Sequence, residues 1–327
     1  NSGIEIALNT TPIKKKQWQW DLNFTYTRNR NKIVELSPDV TSYINLDGAA
    51  NYGNYRIASV AKVGSDYGML MSDSWIKTDE KTGKPVVGYT NKFRTVYYKR
   101  GGTVKEVGSM LPNFLGSLNS TLRWKDLSLY VLFDARFGGY VASYNSRYAT
   151  AYGFSGETEK YRKGMTWTSK YANAQDKVFT DGFIPDVVFD AGTIVTTPGG
   201  TNQDVSGMTY QEAYEKGYVE PAHLQSAAYF KNSWGTGVIN DDWFKKINYI
   251  ALREITLSYN VPTKISSYIG AKNLSLSFTG RNLAYLLNTA PNHENPESVR
   301  GTGAAQFRMR SFMPYTASYL FTLNATF

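Results

Sequence analysis

The sequence predicts an all-β protein, a transmembrane antiparallel β-barrel, on three observations. First, the last thirteen residues alternate without interruption: Tyr315, Ala317, Tyr319, Phe321, Leu323, Ala325 and Phe327 share one parity, and Thr316, Ser318, Leu320, Thr322, Asn324 and Thr326 the other. That is the period of a strand with one apolar face. At about 3.3 Å per residue and a tilt of about 40° the run rises about 33 Å, enough to cross a bilayer's hydrocarbon and about twice the span of a usual soluble strand. Second, runs of the same period recur along the chain. Third, the connections between those runs alternate between short and long.

The elements follow in order. Ile4, Ile6 and Leu8 alternate with Glu5, Ala7 and Asn9, and a short polar join leads into Trp18 to Thr27. There Trp18, Trp20, Leu22, Phe24 and Tyr26 make one face, and the aromatic, aliphatic, aromatic order suits a strand between two interfacial girdles. After a polar stretch, YGMLMSDSWIKT and KPVVGYT read as a hairpin closed by DEKTG. Phe114 to Leu122 is a strand turned by Trp124, Lys125 and Asp126 into LSLYVLFDARF. Asp134 and Arg136 share a parity opposite to Phe133 and Phe137. An Arg near the bilayer midplane costs about 2 to 4 kcal/mol, so these two charges are expected to face the lumen, within an interior ion-pair network. A long polar segment runs from Gly138 to about Asp242, then INYIALREITLSYNV and NLSLSFTGRN precede the closing strand. Nine strands result, with short joins near 10–17, 79–83, 124–126 and 262–271 and long ones near 29–67, 91–112, 138–242 and 283–311. Short turns at one end and long loops at the other form the outer-membrane pattern. An odd number of strands leaves two open edges, so the rest of the barrel is expected elsewhere in a longer polypeptide. The opening NSGIEIALN, already in strand pattern and without a leader, agrees.

Composition narrows the classes. The chain has 15% aromatic residues and 28 Gly, which suits strands, turns and interfacial rings. It has no Cys, so disulfides and thiolate metal sites are excluded. The formal charge is +9, but apart from Lys14 to Lys16 the cations occur singly or in pairs, and no nucleic-acid partner is expected. No stretch of eighteen apolar residues offers a transmembrane helix, as a barrel would not.

Several stretches resemble one family, the SusC/RagA-like TonB-dependent transporters of the Bacteroidota outer membrane. LPNFLGSLNSTLRWKDLSLYVLFDARFGGYV is similar to the family's proline-led strand, turn and strand ending in Gly-Gly. WFKKINYIALREITLSYNVP resembles its strand ending in Tyr-x-x-Pro, and FTGRNLAYLL followed by Asn295-Pro296-Glu297 its Gly-x-Asn-Leu strand end, where members usually carry Asp-Pro-Glu. The aromatic closing strand fits, with Tyr319, Phe321, Leu323 and Phe327 as the barrel-assembly signal. The resemblance implies that residues 1–327 are the carboxyl-terminal part of a plugged barrel of about 22 strands, with the plug outside this chain. It also implies partnership with a SusD-like lipoprotein lid, energy from TonB through the missing part, and import of oligosaccharides or peptides across the outer membrane of a Gram-negative bacterium. Dimers of transporter–lipoprotein pairs are compatible with it. The family's acidic Gly-rich loop is absent, since that region reads VYYKRGGTVKEVGSM.

Enzyme chemistry is not expected, and neither a cofactor nor a metal site. His223 and His293 lie seventy residues apart, no GxSxG elbow exists, and the pairs Asp79 with Glu80 and Asp241 with Asp242 are neighbours that diverge in an extended chain. Gly301 to Gly303 lacks the rest of a dinucleotide loop, and the triplets at Asn23, Asn119 and Asn324 fall inside strands. The candidate substrate-binding residues are the loop aromatics Tyr144, Tyr148, Tyr152, Phe154, Tyr161 and Trp167, placed to stack on sugars or peptide side chains unless they pack the loop itself or a lid. Two rival readings are a surface adhesin or receptor barrel without import and a secreted all-β carbohydrate-binding protein.

Overall fold

The period-2 runs pair with their neighbours in sequence, which is the least costly way to close antiparallel ladders. A computed structural model describes residues 1–47, 57–151, 164–223, 239–240, 243–299, 303, 306–309 and 314–327. Its main sheet is a meander of seven long strands: β1 (Ser2–Lys15), β2 (Trp18–Arg30), β3 (Phe114–Trp124), β4 (Leu127–Ser143), β5 (Phe244–Val261), β6 (Asn273–Asn288) and β7 (Ser318–Thr326). Each pairs antiparallel with the next, and β1 and β7 are the outer strands.

Because directly paired residues share a face, the register sorts the side chains. One row runs Trp20, Leu122, Leu129, Leu257, Phe278 and Phe321 from β2 to β7, and another runs Leu8, Phe24, Leu118, Phe133 and Leu252 from β1 to β5. This apolar face is open to the surroundings: Phe321 is 71% exposed, and Leu257 and Phe278 are also exposed. Rings collect at its two ends. Trp18 and Trp124 stack at 5.6 Å between ring centroids beside the short turns, while Phe114 lies 4.8 Å from Phe137 and 5.3 Å from Tyr26 at the far end. Between Leu127 and Phe137 a strand at the usual tilt rises about 25 Å.

The opposite face is polar and internally bonded. The Asn119 amide donates to Asn23, whose amide donates to Asn9 across three strands. Thr25 pairs with Ser117 at 2.6 Å, Thr256 with Thr279 at 2.9 Å, and Arg281 with Glu254 at 2.8 Å. Asp21 accepts from Thr11, Gln19 and Arg123.

Short connections (16–17, 125–126 and 262–272) lie at one end, and long ones (31–113, 144–243 and 289–317) at the other. All nine expected segments contain strand, but two of them stay outside the main sheet. Met69–Ser72 joins a four-stranded sheet with Tyr43–Asn45, Ile57–Lys62 and Lys105–Ser109, and Val86–Thr90 sits between Thr95–Tyr98 and Val188–Phe189. Their short runs bury consecutive residues, Leu70 to Ser72 and Val86 to Gly88, instead of alternating, so the expected long connections near 29–67 and 91–112 merge into one. The DEKTG turn does form, closed by the Asp79 carboxylate accepting from the Thr82 amide and hydroxyl. The closing strand is shorter than expected: regular pairing starts at Ser318, and the Tyr315 ring turns to lie 4.5 Å from that of Tyr285.

The long connections build structure rather than hanging loose. Val87, Val96, Phe189, Val195, Val205 and Tyr210 form one core from two connections distant in sequence. The helix α2 (Tyr210–Glu215) starts there on a capping box between Thr209 and Glu212. A second core of Ile57, Leu70, Met110, Ala142, Phe244 and Phe307 fastens the first and last of the long connections to the ends of β4 and β5. At Gly138 and Gly139 β4 takes φ of +87° and +86°, and a Cβ on Gly139 would meet the Met110 carbonyl oxygen at 2.7 Å. Only glycine adopts this bend without strain. Gly139→Ala is therefore expected to cost about 2 kcal/mol and to lower the temperature at which the folded band is lost in a heat-modifiability gel. An unchanged temperature would refute the assignment.

Candidate substrate-facing site

Two groups of polar and aromatic side chains stand out, one on the polar wall of β4–β6 and one on the outer module. The wall group arises from a break in the pattern. Arg253 and Glu254 are adjacent charges in an otherwise alternating strand, and a bulge between Leu252 and Glu254 turns both to the polar face. The Arg253 guanidinium donates to Asp134 at 2.8 and 3.2 Å and to Glu297 at 2.7 and 2.8 Å. Tyr285 donates to Glu297 at 2.7 Å and contacts Asn295 at 3.0 Å. Burial by itself would raise the Glu297 carboxyl, but the hydrogen bonds and charge of Arg253, with Tyr285, outweigh it and hold it below the ordinary carboxylate range.

This group ties the last long connection to the sheet, and a second carboxylate repeats the device. Glu294 is buried and accepts from the Ser143 and Ser146 hydroxyls at 3.1 and 3.0 Å, at the start of helix α1 (Tyr144–Ala151). Burial raises its carboxyl above the usual value despite those bonds. Farther along, Phe307 and Met309 are fully buried, and Arg308–Met309 pairs in parallel with Ala142 and Ser143 of β4.

The expected site residues fall in separate places. Asp134 enters the Arg253 ion-pair network, whereas Arg136 instead donates to the backbone carbonyls of Gly138 and Met110 at 3.3 Å. Tyr144 and Tyr148 sit on α1 with rings 5.5 Å apart, and the Arg147 guanidinium lies 5.6 Å from the Tyr144 ring. Tyr152, Phe154 and Tyr161 lie outside the described residues. Tyr319, Phe321 and Leu323 are on the exposed apolar face of β7, and Phe327 just follows it.

Trp167, on Met165–Thr168, forms the outer group. Its ring stacks on Phe179 at 4.9 Å, and His223 completes a triangle at 4.9 and 4.7 Å. The His223 Nδ1 is 3.1 Å from Asp181. Gly182 makes room, since a Cβ there would come within 2.7 Å of the indole. Beside Trp167 opens a groove of about 680 Å³ bordered by Lys170, Pro198, Tyr214, Glu215 and Glu220. The Glu220 carboxylate is held by the Ser169 hydroxyl and the Lys170 amide. Sequence reasoning missed Phe179, Asp181, Arg253, Tyr285 and the role of His223, and set Glu297 only within a family motif.

Loss of the guanidinium in Arg253→Ala removes the charge partner of two carboxylates that are each more than a third exposed, an expected cost of about 1 kcal/mol after solvent screening. Because the folded Glu297 value is depressed, its stabilisation is complete at neutral pH and is lost as pH falls below the ordinary carboxylate range. Thermal unfolding of the wild type across that range should show the loss, and Glu297→Gln should remove that part of the pH dependence. A Gln variant with the wild-type acid profile would contradict it.

No protein-family model and no curated protein sequence matches the chain. Solved structures do. The RagAB peptide importer in its open-open state aligns at a TM-score of 0.57 and 14% identity over 99% of this chain and 28% of that chain. The importer in its closed-closed state aligns at 0.54 and 15% identity, and a further RagAB peptide transporter structure at 0.52 and 14%, each over 99% of this chain and 29% of that chain. The chain thus spans 28% to 29% of the length of the proteins it matches. At such identity the likeness is one of fold: the chain has the antiparallel β-barrel fold of the RagAB structures over the part of them that it covers, as its sequence pattern led one to expect.

Proposed function

We propose that the chain is the carboxyl-terminal part of an outer-membrane barrel that imports peptides or oligosaccharides by TonB-dependent transport beneath a SusD-like lipoprotein lid. The observation that carries this reading is the alignment of 99% of the chain with an importer fold. The two-faced sheet supports it physically. In the proposal the open apolar face, with rings at both ends, meets lipid, and the polar wall with Asp134 and Arg136 borders the lumen. β1 and β7 then pair with the remaining strands of the barrel, because hydrocarbon satisfies no open edge. The barrel transports and does not catalyse. Peptides are the favoured substrate class, since the Trp167 groove sets charges of both signs, Lys170 and Glu215, beside an aromatic wall.

The test is to purify the full-length polypeptide from membranes in mild detergent, identify what copurifies, and analyse bound ligands by mass spectrometry. A lipoprotein partner and a bound peptide pool are expected. Recovery in the membrane-free soluble fraction would overturn the reading, and a bound glycan pool would replace peptide by oligosaccharide.

Three substitutions sharpen this. Phe133→Arg, midway along the apolar face, should cost about 2 to 4 kcal/mol and deplete the folded membrane form, whereas Thr121→Arg on the polar face should not. Equal behaviour of the two would contradict the assignment of faces. Trp167→Ala should weaken ligand binding about fivefold, the loss of about 1 kcal/mol of stacking, with the heat-modifiable band retained.

A further inference from the structure

The Lys14–Lys16 run is unused by the import function, and the fold gives it neighbours. The Lys125 amide donates to the Gln17 carbonyl at 2.9 Å, so the first two short turns are joined. Lys15 pairs with Trp18, Trp18 with Trp124, and the Lys125 ammonium lies 5.2 Å from the centre of the Trp124 ring. Lys15, Lys16 and Lys125 therefore gather beside a stacked tryptophan pair at the rim of the apolar face, while Lys14, paired with Gln19, lies on the polar face.

The third short turn continues this rim. Its helical turn, Thr263–Ser266 followed by Ser267–Ile269, presents Ile265, Tyr268 and Ile269 outward, with Tyr268 84% exposed. Lys264 and Lys272 flank those residues, the latter donating to the Phe327 carbonyl at 3.1 Å. The three short connections and their borders thus hold six lysines, Lys14, Lys15, Lys16, Lys125, Lys264 and Lys272, against one acidic residue, Asp126. Tryptophan and tyrosine at the edge of an apolar band, with lysines just beyond and apolar side chains on the turn, are the chemistry of a lipid headgroup boundary.

We propose that the short-turn rim is a binding surface for anionic phospholipid headgroups, with Lys15, Lys16 and Lys125 engaging phosphate and the Trp18–Trp124 pair set at the glycerol level. The proposal rests on the membrane-barrel reading above. Headgroup phosphate is favoured over a soluble anion because the lysines adjoin the exposed apolar face and point to no enclosed pocket. Each lysine near an anionic surface contributes about fivefold in affinity, so the group acts collectively.

The test compares the full-length polypeptide in nanodiscs of phosphatidylethanolamine alone and of phosphatidylethanolamine with phosphatidylglycerol, reading the thermal midpoint and the lipids retained on native mass spectrometry. Phosphatidylglycerol should raise the midpoint and be retained selectively. K15Q/K16Q/K125Q should abolish that rise and lower phosphatidylglycerol affinity at least about tenfold, with an unchanged midpoint in phosphatidylethanolamine alone. K81Q/K92Q, at the long-connection end, should respond as the wild type does. A rise in the triple variant equal to the wild type would overturn the proposal, as would an equal effect of inorganic phosphate in solution. Failure of the wild type to enter nanodiscs at all would instead overturn the membrane reading, so the two failures are distinguishable.

Discussion

The constraint on which the structure depends is the register of the seven-strand meander. Since side chains alternate with a period of two, a slip of one residue in any ladder would send Phe133 to the face of Asp134 and bring Glu254 to the face of Leu257. The rows of paired residues prevent such a slip, because large apolar side chains meet across successive strands while Asn9, Asn23 and Asn119 bond on the other side. Short turns hold the register locally. Lys125 takes φ of +51° to close β3 onto β4 in two residues, and the Asn260 amide donates to Asp126 to bind the next strand.

Where the alternation breaks, the sheet gains its chemistry. The bulge at Arg253 brings a further charge to the wall, and the guanidinium gathers carboxylates from β4 and from the connection before β7. Beyond the Gly138–Gly139 bend β4 stays paired with β5, and Ala142 packs in the core that joins it to Phe244 and to Ile57, Leu70, Met110 and Phe307 of the long connections. Both irregularities serve one end, converting polar sequence into a layer with cores of its own. Glu294 and Glu297 fasten the last connection to that layer at two points, so the polar wall and the outer layer form one continuous body.

Much of the sheet was legible because period-2 alternation is a local signal. The runs around Trp18, Leu127 and Asn273 gave strand and face directly, and Asp134 was correctly set on the side opposite Phe133. The outer layer was not, since its strands are two to six residues long and pair across large sequence distances, as Val188 does with Val86. A four-residue run such as Met69–Ser72 has no face of its own to display, which is why it resembled half of a long hairpin. The candidate site was legible only in part. Trp167 stood out as an aromatic in polar surroundings, but Phe179, Asp181 and His223 reach it through a three-stranded sheet that no spacing announces. The adjacent charges of Arg253 and Glu254 were a readable sign of a bulge, because an alternating strand with one apolar face cannot place both on its polar side without one.

The central claim is that one face of the main sheet meets lipid and the other does not. Because the chain has no Cys, single cysteines can be introduced and spin-labelled one at a time in the full-length polypeptide, reconstituted in bilayers. The account predicts that labels at positions 24, 118 and 133 are accessible to oxygen and shielded from a water-soluble nickel reagent, while labels at 21, 119 and 121 are not oxygen-accessible in this way. Equal accessibility of both sets to the aqueous reagent would contradict it.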